Sequence, residues 1–193
     1  MLKFFVVGQP NTTVKQNVDA IVQMISTREL ATFDAAVAYV TNGGVDVLFE
    51  AISTAGLEQK WNSMAKRFLV SIDWMRSEPT ALDRLAALPN SKVYVFDGTF
   101  VVGKTGCKPR VPWHPKWFSG AGADSLANFS GSGNLSRNGL STGHEAGTFQ
   151  IVLDPTGPVE THVYDAIKAG NLWFKQRLEG SPTWAAISAE YRN

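Results

Sequence analysis

The chain has 193 residues, of which 44% are apolar and 18% are charged, and its formal net charge is +1. This length supports one sizeable core but not two comfortable domains, so we expect a single domain over residues 1–193. The small net charge excludes a global attraction to nucleic acid or to anionic membranes, and the single cysteine, Cys107, excludes an internal disulfide and a metal site built from cysteines.

The N-terminal apolar run is too short for a signal peptide, and no segment approaches the roughly 20 apolar residues of a membrane span. We therefore expect a cytoplasmic protein with no membrane partner.

Strands and helices alternate in the first half of the chain. Apolar residues three and four apart favour helices, and short runs rich in β-branched residues favour strands. The predicted elements are a strand at 2–7, a helix at 14–26 capped by Thr12 or Thr13, a strand at 34–40, a helix at 45–55, a strand at 68–73, a helix at 79–88 and a strand at 92–96.

The second half of the chain differs in character. Three short strands joined by glycine-rich turns are predicted at 114–118, 127–133 and 147–153, followed by a helix over roughly 159–169. The complete order indicates an α/β fold with a mixed, mainly parallel sheet, helices on both faces and an antiparallel extension.

The residues suited to catalysis lie in this strand-rich half. His114 and Lys116 share one face of an extended segment, while the flanking tryptophans point to the other face. Ser132 and Asn134 repeat the two-residue spacing. An imidazole, an ammonium, a hydroxyl and an amide together suit the negative oxygens of a phosphate during transfer.

This pattern resembles the HKD signature of the phospholipase D superfamily, which combines HxK, a spaced Asp and GSxN. His114-Pro115-Lys116 is followed by Asp124 and, after six intervening residues, by Gly131-Ser132-Gly133-Asn134. Glu145 lies eleven residues beyond Asn134, where family members often carry an acid that contacts the histidine. Seven residues separate Lys116 from Asp124 where the family has four, and Gly120-Ala121-Gly122 indicates a longer hairpin turn there.

The resemblance implies a phosphodiesterase that needs no metal ion and no cofactor, with a fold similar to one half of the two-motif superfamily members. By this resemblance His114 attacks phosphorus and forms a phosphohistidine. Lys116 and Asn134 hold the non-bridging oxygens, and Glu145 orients the imidazole. Phospholipases, transphosphatidylases and nucleases share the motif, so it indicates the reaction and leaves the substrate open.

The remaining motif residues have two interpretations each. Ser132 either assists the reaction or holds its loop, and Asp124 either orients the site or anchors the hairpin. The chain has one HxK, so a reaction that needs two histidines would take the second from another molecule. This predicts a homodimer with the site across its two-fold axis.

A basic window surrounds the motif. Between residues 104 and 137 there are five cations and one acid. The four cations outside the motif are predicted to bind DNA, and a solvated loop is the alternative interpretation. They are Lys104, Lys108, Arg110 and Arg137.

Among phosphodiesters, this window and the compact single-motif form favour DNA, and the chain is similar to the catalytic domain of BfiI-type metal-independent restriction endonucleases. Those enzymes carry a separate sequence-reading domain. We therefore expect either cleavage with little sequence preference or dependence on a separate recognition domain or subunit. Two alternatives stay open: a phospholipase D-type lipid phosphodiesterase or transphosphatidylase, and a non-catalytic dimeric protein that binds phosphate or nucleic acid.

Other candidate residues have weaker patterns. Asp73 ends a predicted strand, where α/β sites often form, although an exposed acid is the simpler interpretation. Thr41–Gly44 precedes a helix and offers backbone N–H groups to a phosphate, or forms an ordinary strand-to-helix turn. His144 is expected to be structural, and His162 to lie at the surface or the core edge.

Overall fold

The computed structural model of the protein describes residues 1–9 and 16–192, and seven strands form one sheet. Their order across the sheet is β1-β7-β6-β5-β2-β3-β4. The strands are β1 (Leu2–Gln9), β2 (Thr32–Val37), β3 (Ala65–Val70), β4 (Ser91–Val95), β5 (Lys116–Ala121), β6 (Ser125–Gly131) and β7 (Glu145–Leu153).

Helices and short helical turns connect these strands. The helices are α1 (Asn17–Ser26), α2 (Asn42–Thr54), α3 (Glu58–Ser63), α4 (Pro79–Ala86), α5 (Gly98–Val101), α6 (Pro158–Leu178) and α7 (Trp184–Arg192). The short turns are at Asp73–Met75, Thr105–Cys107 and Asn138–Thr142.

The strands β2, β3 and β4 form the parallel half of the sheet. Parallel neighbours need crossover connections, which α2, α3 and α4 supply. Local sequence starts these helices: the Thr41 hydroxyl accepts a hydrogen bond from the Gly44 N–H at 3.3 Å, and Pro79 occupies the first turn of α4.

The strands β5, β6, β7 and β1 form the antiparallel half. β5 also pairs antiparallel with β2, so this one strand joins the two halves.

Side chains of β2 alternate between two cores. Phe33 and Val37 belong to the larger core, to which α1, α2 and α4 contribute. Ala36 points to the other face, where it packs with Leu69 and with Phe174 of α6. Helices therefore cover both faces of the sheet.

The predicted mixed α/β sheet with helices on both faces is confirmed. Fewer neighbouring strands are parallel than expected. The pairs β2–β3 and β3–β4 are parallel, and the other four neighbouring pairs are antiparallel. The reason is β1, which lies at the sheet edge and pairs antiparallel with β7. Alternation of strand and helix in the sequence had favoured parallel pairing for this strand.

Some predicted bounds also differ. α1 begins at Asn17 after the N-cap residue Gln16, and the proposed caps Thr12 and Thr13 lie outside the described residues. α6 continues well beyond residue 169, because Phe174 extends its buried face. Among the described helices, none is long and apolar enough to cross a membrane.

Candidate functional site

The residues of the HKD-like pattern meet at one end of the sheet. β2 and β6 end there, and β5 and β7 begin there, because β5 is antiparallel to β2 and β6, and β7 is antiparallel to β6. Val37 at the end of β2 lies opposite Lys116 at the start of β5, and Gly131 lies opposite Gly147. Strand pairing alone therefore brings the HxK and GSxN segments to the same edge.

His114 and Lys116 are in direct contact. Lys116 Nζ lies 2.7 Å from Nδ1 and 3.1 Å from Nε2 of His114, and it donates a hydrogen bond to the His114 backbone oxygen at 3.0 Å. Part of His114 is exposed to solvent, whereas Lys116 is 8% exposed. Trp113 and Trp117 stack on aromatic side chains of α6, with ring centroids 5.6 and 5.3 Å apart, as the alternation in the sequence predicted.

The surroundings of His114 favour its neutral form. Partial burial of the ring, the charge of Lys116 and the charge of Arg76 all lower the pKa of His114 below its usual value. A neutral imidazole keeps one nitrogen lone pair free at neutral pH. Burial also lowers the pKa of Lys116, while the nearby Glu145 carboxylate opposes that change.

Arg76 is a residue of this site that the sequence did not indicate. It lies far from His114 in the chain, in the loop after β3, and only the fold brings the two together. The signal in the sequence was Asp73, which ended the predicted strand; in the structure β3 ends at Val70, and Asp73 begins the turn that follows. Asp73 is buried rather than exposed, and its Oδ2 accepts a hydrogen bond from the Trp113 N–H at 2.9 Å. The loop that carries Arg76 is thereby tied to the residue before His114.

Asn134 is held so that its amide can donate. Its Oδ1 accepts hydrogen bonds from the N–H groups of Ala38 at 3.1 Å and Tyr39 at 3.3 Å, just beyond the end of β2. These contacts fix the amide orientation, because a backbone N–H can bind only the oxygen. No described residue accepts a hydrogen bond from its Nδ2 group.

The two glycines of GSxN are needed for packing. A Cβ at Gly131 would lie 2.5 Å from the Ala146 backbone oxygen, and one at Gly133 would lie 2.1 Å from the Gly139 backbone oxygen. Only glycine fits where backbones approach this closely. The motif therefore places Asn134 through close backbone packing.

Ser132 and Glu145 contact each other and not the histidine. The Ser132 hydroxyl donates to Glu145 Oε2 and accepts a hydrogen bond from the Ala146 N–H at 3.1 Å. The expected contact of Glu145 with His114 is not found. The cause is strand register, since Ser132 follows the end of β6 directly opposite the start of β7.

Asp124 lies away from this site. It occupies the β5–β6 hairpin at the opposite end of the six-residue strand β5, which places it roughly 20 Å from Lys116. Its backbone oxygen accepts a hydrogen bond from the Asp154 N–H at 3.1 Å. Of its two interpretations, the position favours the hairpin anchor.

The four predicted DNA-binding cations all lie in loops at the site end of the sheet. Lys104, Lys108 and Arg110 lie between the end of β4 and the start of β5, and Arg137 follows β6. Arg110 forms an ion pair with Asp97, so its charge is partly neutralised. Lys104 and Arg110 also lie over the Phe100 ring, 4.7 and 4.3 Å from its centroid.

The weaker candidates lie outside this arrangement. His144 and His162 are exposed. The Thr41–Gly44 turn serves its own helix through the Thr41 cap, and the Thr41 N–H donates to the Leu135 oxygen. Within residues 1–9 and 16–192, no three His, Cys, Asp or Glu side chains come together as they would around a metal ion.

Replacing Arg76 with glutamine should raise the pKa of His114 toward its usual value, because one of the charges that depress it is removed. Titration of the histidine ring signals by NMR measures this shift. Arg28→Gln, an exposed arginine at the opposite end of the sheet, is the matched control and should leave the His114 titration unchanged. An unshifted titration in Arg76→Gln would contradict this electrostatic arrangement.

Asn134→Asp should keep the acceptor for Ala38 and Tyr39 but replace the donor by a carboxylate oxygen, which repels phosphate. Loss of one such donor lowers turnover by about a hundredfold or more. Steady-state kinetics on a phosphodiester and circular dichroism of the variant measure the two effects. Asn171→Asp is the matched control, because Asn171 Oδ1 likewise accepts a hydrogen bond, from Ser119, but lies on α6. Equal turnover in the two variants would remove Asn134 from the site.

No known family model and no curated protein sequence matches the chain. Among solved structures it is similar to Nuc from Salmonella typhimurium, described as a phospholipase D family member, with a TM-score of 0.61, 11% sequence identity and coverage of 95% of this chain and 98% of that chain. It is also similar to NucT from Helicobacter pylori, with a TM-score of 0.59, 15% identity and coverage of 95% and 99%. The chain therefore has the mixed α/β fold of a phospholipase D family member.

Proposed function

We propose that the chain is a metal-independent phosphodiesterase that cleaves DNA, with His114 as its nucleophile. The observation that carries this proposal is the contact of Lys116 Nζ with the His114 ring at 2.7 Å, in surroundings where burial and the charges of Lys116 and Arg76 lower the pKa of the imidazole. A nucleophile needs a free lone pair, and the phosphate that it attacks needs positive charge around its oxygens. This arrangement supplies both from side chains.

The non-bridging phosphate oxygens would be held by the donors on either side of His114. Lys116 Nζ, 2.7 Å from the ring, is close enough to contact an oxygen of a phosphate bonded to that ring. Asn134 Nδ2 would donate from the adjacent loop. Glu145 has two supporting roles: its charge favours the protonated form of Lys116, and its hydrogen bond to Ser132 holds the loop that carries Asn134.

The reaction would proceed in two displacements. A ring nitrogen of His114 attacks phosphorus, the P–N bond forms, and the P–O bond to the leaving group breaks while that oxygen takes a proton from an acid. In the second step, water gives a proton to the conjugate base of that acid and attacks phosphorus, and the P–N bond breaks. His114 and the acid both return to their initial states.

The acid would be His114 of a second copy of the chain. The groups that act on His114 in the described chain are Lys116 and Arg76. Arginine stays charged in proteins, and Lys116 is assigned to the phosphate oxygens. Two copies related by a two-fold axis would bring two imidazoles to one phosphate, and the pair would then share a coupled titration in which one ring is neutral and the other protonated.

DNA is the phosphodiester that the charges around the site favour. The cations of the basic window lie in loops at the same end of the sheet as His114, where a polyanion can contact them along several phosphates. Sequence-reading contacts would come from a separate domain or subunit, in the manner of BfiI-type enzymes, or would be absent. A lipid phosphodiesterase would use the same chemistry. Assays with DNA and with phospholipid vesicles distinguish the two functions.

Cleavage of labelled DNA should persist in excess EDTA, because positive charge at the phosphate comes from Lys116 and Arg76. His114→Ala should abolish cleavage, and His162→Ala, which changes an exposed histidine on α6, should not. Gel assays with single- and double-stranded DNA, RNA and phosphatidylcholine vesicles measure this. Activity that requires added Mg²⁺ or Mn²⁺ contradicts the mechanism, and cleavage of the vesicles alone contradicts the substrate.

Mixing His114→Ala with wild-type protein tests the second copy. If both imidazoles are needed, activity after subunit exchange should fall as the square of the wild-type fraction, whereas it should fall linearly if each chain acts alone. Ultracentrifugation at the assay concentrations establishes whether dimers are present. A linear dependence, or full activity from a monomer, would refute the shared site and leave the acid unidentified.

A further inference from the structure

The loop between β3 and α4 has an unusual backbone. Trp74 and Met75 are consecutive and both have positive φ, 52° and 58°. Residues other than glycine avoid this left-handed region, and those that adopt it concentrate at functional sites. Two bulky residues in succession indicate that the surrounding structure imposes the conformation.

Hydrogen bonds hold both ends of this loop. The Ser77 hydroxyl donates to the Ser71 backbone oxygen at 2.5 Å and accepts a hydrogen bond from the Val40 N–H at 3.2 Å. The Tyr191 hydroxyl donates to the Ser77 backbone oxygen at 2.6 Å. With the hydrogen bond from Trp113 to Asp73, the loop is fixed to Val40 beyond the end of β2, to α7 and to the residue before His114.

This fixed loop displays apolar side chains to solvent. Trp74 is 48% exposed and Met75 is 60% exposed. The Arg76 guanidinium lies 5.7 Å from the centroid of the Trp74 ring. Asp73, the residue before Trp74, accepts the hydrogen bond from Trp113, the residue before His114, so Trp74 and His114 lie on neighbouring segments. Neither exposed side chain contributes to a buried core, and folding gives no reason for the arrangement.

We propose that Trp74, with Arg76 against it, is a stacking platform for an unpaired base next to the scissile phosphate, so the substrate is single-stranded or locally unpaired DNA. This inference rests on the proposed function. A base within one nucleotide of a phosphate at His114 would reach an aromatic surface beside Arg76, and base stacking on exposed aromatics with Arg alongside is how unpaired strands are held. In a duplex, the faces of that base are covered by the neighbouring bases, so the base could not stack on Trp74.

A lipid bilayer is the other surface that takes up exposed Trp and Met. Bilayer-binding proteins present an apolar face along a helix or across several loops. Here the loop contributes two adjacent apolar residues, and a guanidinium lies over one of them. These features favour the base.

Binding should be measured in the His114→Ala background, so that DNA stays intact. Fluorescence anisotropy compares a labelled single-stranded oligonucleotide with one whose central residues are abasic. Trp74→Ala should weaken binding of the first by about 10- to 100-fold and leave binding of the second unchanged. Trp74→Phe should retain most of the affinity, because an aromatic face remains. Leu172→Ala, an exposed apolar change on α6, is the matched control and should have no effect.

Parallel cleavage assays with His114 present separate this inference from the proposed function. Base-dependent binding without cleavage would contradict the proposed function and leave the platform standing. The platform would be overturned if the protein cleaves DNA but binds the two oligonucleotides with equal affinity. It would also be overturned if Trp74→Ala weakens binding of both oligonucleotides equally. Weaker binding of Trp74→Ala to phosphatidylcholine and phosphatidylglycerol vesicles, with unchanged binding to DNA, would assign the loop to a membrane and overturn it as well.

Discussion

The antiparallel pairing of β5 with β2 is the constraint on which the site depends. It joins the parallel half of the sheet to the antiparallel half and sets Lys116 opposite Val37. Side chains alternate along a strand, so a slip of one residue would turn Lys116 to the opposite face of the sheet and expose the apolar face. The register is fixed by burial, since both faces of β2 and most of β5 are covered. Packing of the core therefore fixes the positions of the site residues at the end of the sheet.

Charge is distributed so that one imidazole stays neutral among cations. Lys116 is mostly buried, and burying an ammonium is unfavourable unless other groups compensate for the lost water. The His114 carbonyl and the Glu145 charge provide part of that compensation. The same positive charge disfavours a proton on His114, so the protonation states of Lys116 and His114 are linked.

The sequence predicted the parts of this arrangement that depend on local spacing. Alternation around His114 placed Lys116 on its face and the tryptophans on the opposite face, and Ser132 and Asn134 repeated the two-residue spacing. Such local patterns could not predict which distant segments of the chain pair with each other. The contact of Glu145 with Ser132 follows from the β6–β7 register, and the charge of Arg76 acts on His114 because the loop after β3 is tied to Trp113. The position of β1 beside β7 likewise results from tertiary packing, which alternation of strand and helix does not encode.

The proposed function requires a bond between His114 and phosphorus, and the covalent intermediate can be trapped. Wild-type protein mixed with a labelled oligonucleotide in excess EDTA would be quenched at alkaline pH, where a phosphohistidine survives, then digested and analysed by mass spectrometry. The account predicts a nucleotide adduct on the peptide that contains His114, and no adduct on His144 or His162. Cleavage that proceeds while the adduct is absent, or is found on another residue, would contradict it.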